Sequence, residues 1–159
     1  MPTVFFHKAS GNYYSLDMLY AWLNMYNPKG VKADISAFAH HLDEVETAQG
    51  RARASANTVL NAPNEWPDMM ARINRADVNG PIVIFDGALL DGMSILAKAK
   101  MLGRATVNVI DMNKAAMNRL ILFHKGNEPR PIEPWEYIQL FVERFPAPKS
   151  AKSTKPAQK

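Results

Sequence analysis

Hydrophobic and polar residues alternate along this chain in patterns that predict a mixed α and β protein. Apolar residues three or four positions apart, the spacing of one helix face, predict helices over residues 15–26, 34–46 (after a strand end), 55–63, 64–77, 92–102, the first part of 112–123, and 134–145. Short apolar runs predict strands over residues 3–6, 80–85 and 105–110. Because helices and strands alternate in the second half, we expect an α/β chain of the α+β kind, with a small mixed sheet covered by helices.

Residues typical of helix ends support several of these segments. Ser15 is predicted as an N-cap, and Pro134 stands at the first position of the last helix. For the helix at 92–102, Asp91 is predicted as the N-cap and Gly103 as the C-cap. In that position the Asp91 carboxylate would occupy the N–H groups that an anion could otherwise use.

The first predicted helix carries apolar residues on two sides. One stripe contains Leu16, Leu19, Tyr20 and Leu23, and the other contains Met18, Trp22, Met25 and Tyr26. A helix that is apolar on two sides is either enclosed in the core or exposes one side to a partner. Both interpretations stay open here, and a protein partner would bind through Met18, Trp22 and Met25.

Length and charge set the limits of the molecule. The chain has 159 residues, of which 47% are hydrophobic, as expected for one globular domain. We expect residues 1–145 to form that domain and residues 146–159 to form a disordered basic tail. The tail contains four lysines and no acid, so the net charge of +4 lies there and the body is formally neutral. Such a tail either contacts phosphate weakly or only adds solubility.

The residue content argues against several classes of protein. The chain has no cysteine, which excludes disulfides and thiolate metal sites. His40 and His41 are adjacent, so on a helix they point in different directions and no metal site is predicted. No apolar run could span a bilayer and no signal-peptide pattern is found, so we expect a cytoplasmic protein without a membrane partner.

Candidate chemistry concentrates in "FDGALLDGMSILAKAKMLG". A glycine at the start of a helix, here Gly92, lets a phosphate approach the backbone N–H groups, and Met93 belongs to the same candidate phosphate-binding site. Ser94 and Lys98 share one face and could both contact that phosphate. The alternatives are a simple turn with a cap, and a solvated polar face.

Four segments in order resemble the ParB/sulfiredoxin-like superfamily, in particular its small phage and plasmid members with ParB-like nuclease domains. They are "SANTVLNAPNEWP", "MARINRADVNGPIVI", "DGALLDG" and "LAKAKMLGRATVNVI", and they lie within residues 55–110. The resemblance implies a ParB/sulfiredoxin-like fold whose helix start holds nucleotide or backbone phosphate. Family members generally follow the "DG" with one variable residue and then His-Arg or Arg-Arg.

This chain departs from that pattern at the reactive positions. Ser94 stands where the family has His, and Ile95 stands where it has Arg. Loss of one charge-assisted arginine contact typically costs about 1.5–3 kcal/mol of binding. Arg72, Arg75 or Arg104 could replace it only if the fold brings one of them to the helix start.

Three functions follow from these observations. The favoured one is a degenerate binding protein without the family's usual catalysis, for a nucleotide such as ATP or CTP with Mg²⁺, for nucleic acid including DNA, or for a protein partner. The first alternative is a phosphate-ester enzyme, a nuclease, NTPase or small-molecule kinase, in which Asp86 and Asp91 hold a metal or act as a base. The second alternative is an inhibitor or interaction protein from a mobile element.

Overall fold

The computed structural model describes residues 2–45, 47–48, 51–52 and 54–145, and the side chains of these residues outside 46–53. The predicted tail at 146–159 lies outside the described residues, as does part of the predicted polar loop at 50–55.

Helices occupy most of the segments that the apolar spacing predicts. The α-helices are α1 (Leu16–Tyr26), α2 (Ala56–Asn61), α3 (Pro67–Arg75), α4 (Met93–Met101), α5 (Lys114–Asn118) and α6 (Pro134–Arg144). Two 3₁₀ helices span Ile35–Asp43 and Pro63–Glu65. The segment predicted as a short helix after residue 34 is therefore a 3₁₀ helix.

Strands are more numerous than the sequence predicts. They are β1 (Val4–His7), β2 (Asn12–Ser15), β3 (Val31–Asp34), β4 (Thr47–Ala48), β5 (Arg51–Ala52), β6 (Pro81–Phe85), β7 (Ala88–Asp91), β8 (Thr106–Asp111) and β9 (Ile121–Phe123). The mixed α+β class is confirmed.

The chain forms two compact units, which we call the terminal unit (Met1–Pro28 with Asn113–Lys159) and the central unit (Lys29–Met112). The resemblance to the ParB/sulfiredoxin-like superfamily falls within the central unit. The single domain expected over residues 1–145 remains a prediction, which this division into two units does not test.

The central unit is built on a four-stranded sheet in the order β3-β8-β6-β7. β6 and β8 run parallel and the other neighbours are antiparallel. Its core contains residues of the sheet, of α2 to α4 and of the longer 3₁₀ helix, including Leu42, Val59, Ile73, Ile82, Leu96 and Val107. The helix predicted over residues 64–77 is α3, which buries Met69 and Ile73 in this core.

The terminal unit contains an antiparallel sheet in the order β1-β2-β9, together with α1, α5 and α6. The Ser15 hydroxyl accepts a hydrogen bond from the Met18 N–H at 3.1 Å, which confirms Ser15 as the N-cap of α1. Pro134 occupies the first turn of α6, as predicted. Among the described helices, none has the length and apolar character that crossing a membrane requires.

Candidate functional site

The two Asp-Gly pairs of the quoted segment serve two different backbone geometries. Asp86 and Gly87 form the two-residue turn between β6 and β7, with φ of 49° and 78°. This is the left-handed conformation that tight hairpins require and that Asp-Gly adopts readily. The first pair therefore closes a hairpin, and the second pair connects that hairpin to α4.

Gly92, and not Asp91, is the N-cap of α4. Its φ is 105°, and no side chain caps the helix start. A Cβ atom at this position would lie 2.8 Å from the Cα of Ile82 in β6, closer than real contacts allow. The glycine is thus needed for close packing of two backbone segments. As a result, the first N–H groups of α4 keep no side-chain acceptor, contrary to the prediction from Asp91.

Asp91 ends β7 and points its carboxylate at the backbone. Burial raises the pKa of the Asp91 carboxyl from its ordinary value of 3.8, and a hydrogen bond from the Gly92 N–H partly opposes this rise. The residue as a whole remains exposed, so water still screens much of its charge.

The two candidate catalytic carboxylates lie at opposite ends of the β6–β7 hairpin. Asp91 pairs with Val83 in the register, whereas Asp86 lies three residues further along, in the turn. Strand geometry separates their backbones by roughly 10 Å along the hairpin. In the described part of the chain no group of three or more His, Asp or Glu side chains could hold a metal ion. The structure therefore does not assemble Asp86 and Asp91 into a metal-binding pair.

Lys98 stabilises the end of α3. Its ammonium donates hydrogen bonds to the carbonyl oxygens of Asn74 at 2.7 Å and Ala76 at 2.8 Å. The last carbonyls of a helix have no partners within the helix, and a lysine there satisfies them and complements the helix dipole. Lys98, predicted as a phosphate ligand, thus directs two of its three N–H donors to the end of α3 in this structure.

Ser94 and Met93 of α4 line a small cavity together with Met69, Arg72 and Ile73 of α3. The cavity measures about 30 Å³, enough for one or two water molecules. Its lining comprises Glu44, Ala54, Ala56, Met69, Arg72, Ile73, Met93, Ser94 and Ala97. Of the three arginines that could replace the missing one, the fold thus brings Arg72 to the cavity at the start of α4.

The sequence names Arg72 only as one of three arginines whose place at the helix start depends on the fold. It follows the buried Met69 by three positions and precedes the buried Ile73, which places it at the margin of the apolar face of α3. Within the described residues Arg72 forms no ion pair. Glu44, the acidic residue of the cavity lining, contacts the His41 ring at 3.0 Å. An exposed arginine beside an uncapped helix start is suited to bind an anion.

The predicted partner surface on α1 is only partly accessible. Met18 is 2% exposed, because it packs inside the terminal unit. Trp22 and Met25 are half-buried, and the Trp22 ring lies 5.5 Å from the ring of Tyr26. The core interpretation thus describes Met18 better than the partner interpretation does.

Comparison with known proteins adds no relative. The chain matches no family model, and no curated protein and no solved structure is significantly similar to it.

Proposed function

We propose that this protein binds a phosphate-bearing ligand at the start of α4 and does not catalyse its reaction. The favoured class of ligand is a nucleotide. The proposal keeps the ParB/sulfiredoxin-like resemblance of residues 55–110 and adds a residue that the motif lacks. The observation that carries it is the position of Arg72, which lines the same cavity as Ser94 beside the uncapped first turn of α4.

Each part of this site supplies a different interaction. The free N–H groups at the helix start favour negative charge through their partial positive charge. The Arg72 guanidinium provides a permanent cation with several donors, in place of the arginine that Ile95 has replaced. The Ser94 hydroxyl can donate one further hydrogen bond. Because the cavity holds only one or two waters, the ligand would bind at its mouth with one phosphate against the helix start.

Binding without catalysis follows from what surrounds this site. Asp86 and Asp91 lie at opposite ends of the hairpin, so a paired carboxylate for metal-assisted attack is not formed by them. Lys98 directs two of its three donors to the end of α3. The neutral body of the chain supports a small ligand over a long DNA duplex, which needs many cationic contacts.

Calorimetric titration of the full chain with ATP, CTP and GTP, with and without Mg²⁺, tests the proposal. We expect saturable binding of at least one nucleotide. Substitution of Arg72→Gln should weaken it by about ten- to a hundredfold, the usual effect of one charge-assisted contact. Ser94→Ala should weaken it by roughly two- to tenfold, the effect of one neutral hydrogen bond.

The matched control is Arg75→Gln, which removes an exposed arginine from the same helix that does not line the cavity. Equal weakening by both arginine variants would mean that only general charge attracts the nucleotide. Absence of saturable heat up to millimolar ligand would reject the site. Magnesium-dependent phosphate release that is lost in Asp91→Ala would favour the enzyme alternative instead.

A further inference from the structure

The last helix, α6, buries none of its residues. Trp135, Ile138 and Val142 are 63%, 65% and 69% exposed, and they recur at the spacing of one helix face. Helices of soluble proteins normally bury such a stripe, and an exposed one marks an interaction surface. We call these three side chains the α6 stripe.

A groove lies beside the α6 stripe, within the terminal unit. It measures about 280 Å³ and is lined by Asp17, Met18 and Ala21 of α1 and by Tyr137, Ile138, Phe141 and Val142 of α6. The lining residues recur about one turn apart on both helices, so the groove follows the helix axes. Its walls are apolar except for Asp17 and Tyr137, whose side chains contact each other at 3.4 Å.

We propose that this groove and the α6 stripe bind a basic amphipathic helix of another protein. The shape favours a helix, since both walls are helices whose backbone groups are already paired and cannot add a strand. A docked helix would place apolar side chains one turn apart into the groove. This surface belongs to the terminal unit, whereas the proposed phosphate site belongs to the central unit.

The charged residues around the groove determine which charge a partner must carry. The two helices that form the groove carry Asp17, Glu136 and Glu143 as acids and Arg144 as their one base. Arg144 directs its guanidinium to the carbonyl oxygens of Arg119 and Ile121, away from a ligand. Glu136 is paired with Arg130 at 2.7 Å. The charge in the groove wall itself is the Asp17 carboxylate, Glu143 is a further acid of α6, and cationic side chains complement both.

Two other occupants fit these residues less well. A second copy would bring the same acidic helices together, and like charges oppose that association. The chain's own tail at 146–159 has the right charge, but its apolar residues are three alanines and three prolines. These side chains are too small to fill a groove of about 280 Å³. A basic helix rich in leucine has both the positive charge and the large apolar side chains that the groove requires.

The probe is a fluorescent helical peptide of about 14 leucine and lysine residues, roughly four turns, with leucine at helical spacing. We expect saturable binding to the full chain by fluorescence anisotropy. The double variant Ile138→Thr/Val142→Thr keeps β-branched side chains in the helix but replaces apolar groups with hydroxyls, so it should weaken binding by about tenfold or more. Val31→Thr is the matched control, because Val31 is 73% exposed and lies in the central unit; it should leave binding unchanged.

Further binding and sedimentation measurements distinguish this partner from other occupants of the groove. Equal binding of a peptide with strictly alternating leucine and lysine would overturn the helical partner, and equal binding of a leucine and glutamate helix would overturn the basic one. A dimer in sedimentation that the double variant dissociates would assign the surface to a second copy. Peptide binding that appears only after the four tail lysines are changed to glutamine would assign it to the tail. No weakening by the double variant would overturn the groove itself.

Discussion

Helices α4 and α6 obtain their stability from different sources. α4 has no side-chain N-cap and no acid in its first turn, yet it buries Leu96, Ala97 and Ala99 completely. α6 buries no residue, but it begins with Pro134 and a capping box in which Glu133 and Glu136 each accept from the other's backbone N–H. Tertiary packing therefore stabilises α4, whereas local sequence stabilises α6. The candidate sites lie where each helix lacks support: the uncapped start of α4 and the uncovered face of α6.

The largest expected effect tests this contrast directly. Leu96→Ala should destabilise the protein by about 3–5 kcal/mol, because it removes apolar contacts and leaves a cavity in the core. Ile138→Ala in α6 should change the free energy of unfolding by less than about 0.5 kcal/mol, since that side chain is mostly exposed. Urea unfolding followed by circular dichroism measures both. A loss above about 2 kcal/mol for Ile138→Ala would show that α6 is packed more tightly than its exposure indicates.

The glycines at the two ends of α4 provide the next comparison. Gly92→Ala should cost about 2–3 kcal/mol, because it adds a contact with the Ile82 backbone to the strain of a left-handed residue. Gly103→Ala should cost about 1–2 kcal/mol, as Gly103 has a φ of 71° but no atom within 4 Å of its missing Cβ. The difference in urea midpoint between the two variants isolates the close approach. Equal costs would mean that only the backbone conformation requires Gly92.

Helices and their ends were largely predictable from the sequence because they depend on local spacing. Apolar periodicity located α1, α3, α4 and α6, and the sequence identified the Ser15 cap correctly. β2 and β3 were harder to identify, since each is four residues long and depends on partners distant in sequence. The two Asp-Gly pairs look alike locally, yet one turns a hairpin and the other packs on β6.

The candidate site was predictable only in part, for the same physical reason. Met93 and Ser94 follow from their place at a helix start, which is local. The roles of Arg72 and Lys98 depend on how α3 packs beside α4, and no local pattern contains that contact. The exposure of the α6 stripe likewise depends on whether another element covers it.

Lys98→Met separates the structural role of this lysine from the proposed phosphate role. The variant keeps an apolar stem but removes two hydrogen bonds to carbonyls at the end of α3, so it should destabilise by about 1–2 kcal/mol. Nucleotide affinity should change by less than about twofold, because the ammonium is engaged elsewhere. Unfolding and calorimetry on one preparation measure both quantities. A large loss of affinity with unchanged stability would return Lys98 to the phosphate site.

The smallest expected effects concern two carboxylates at the starts of these helices, whose pKa values move in opposite directions. Burial raises the pKa of Asp91, at the start of α4, from 3.8. Hydrogen bonds from Arg130 and from the Glu133 backbone lower the pKa of Glu136, in the first turn of α6, from 4.5. A carboxyl with a raised pKa favours the folded state more as pH falls, whereas one with a lowered pKa contributes stability that is lost as pH falls.

Urea unfolding of the wild type, Asp91→Asn and Glu136→Gln between about pH 3 and about pH 6 measures these contributions. Relative to Asp91→Asn, the wild type should gain stability as pH falls, by less than about 0.5 kcal/mol because water screens the exposed carboxylate. Relative to Glu136→Gln, it should lose stability as pH falls below 4.5, since protonation breaks the ion pair with Arg130. If both stability differences change in the same direction with pH, the two carboxylates do not differ in the direction of their pKa shifts. Opposite slopes would tie the stability of α6 to its local ion pair and leave packing as the main support of α4.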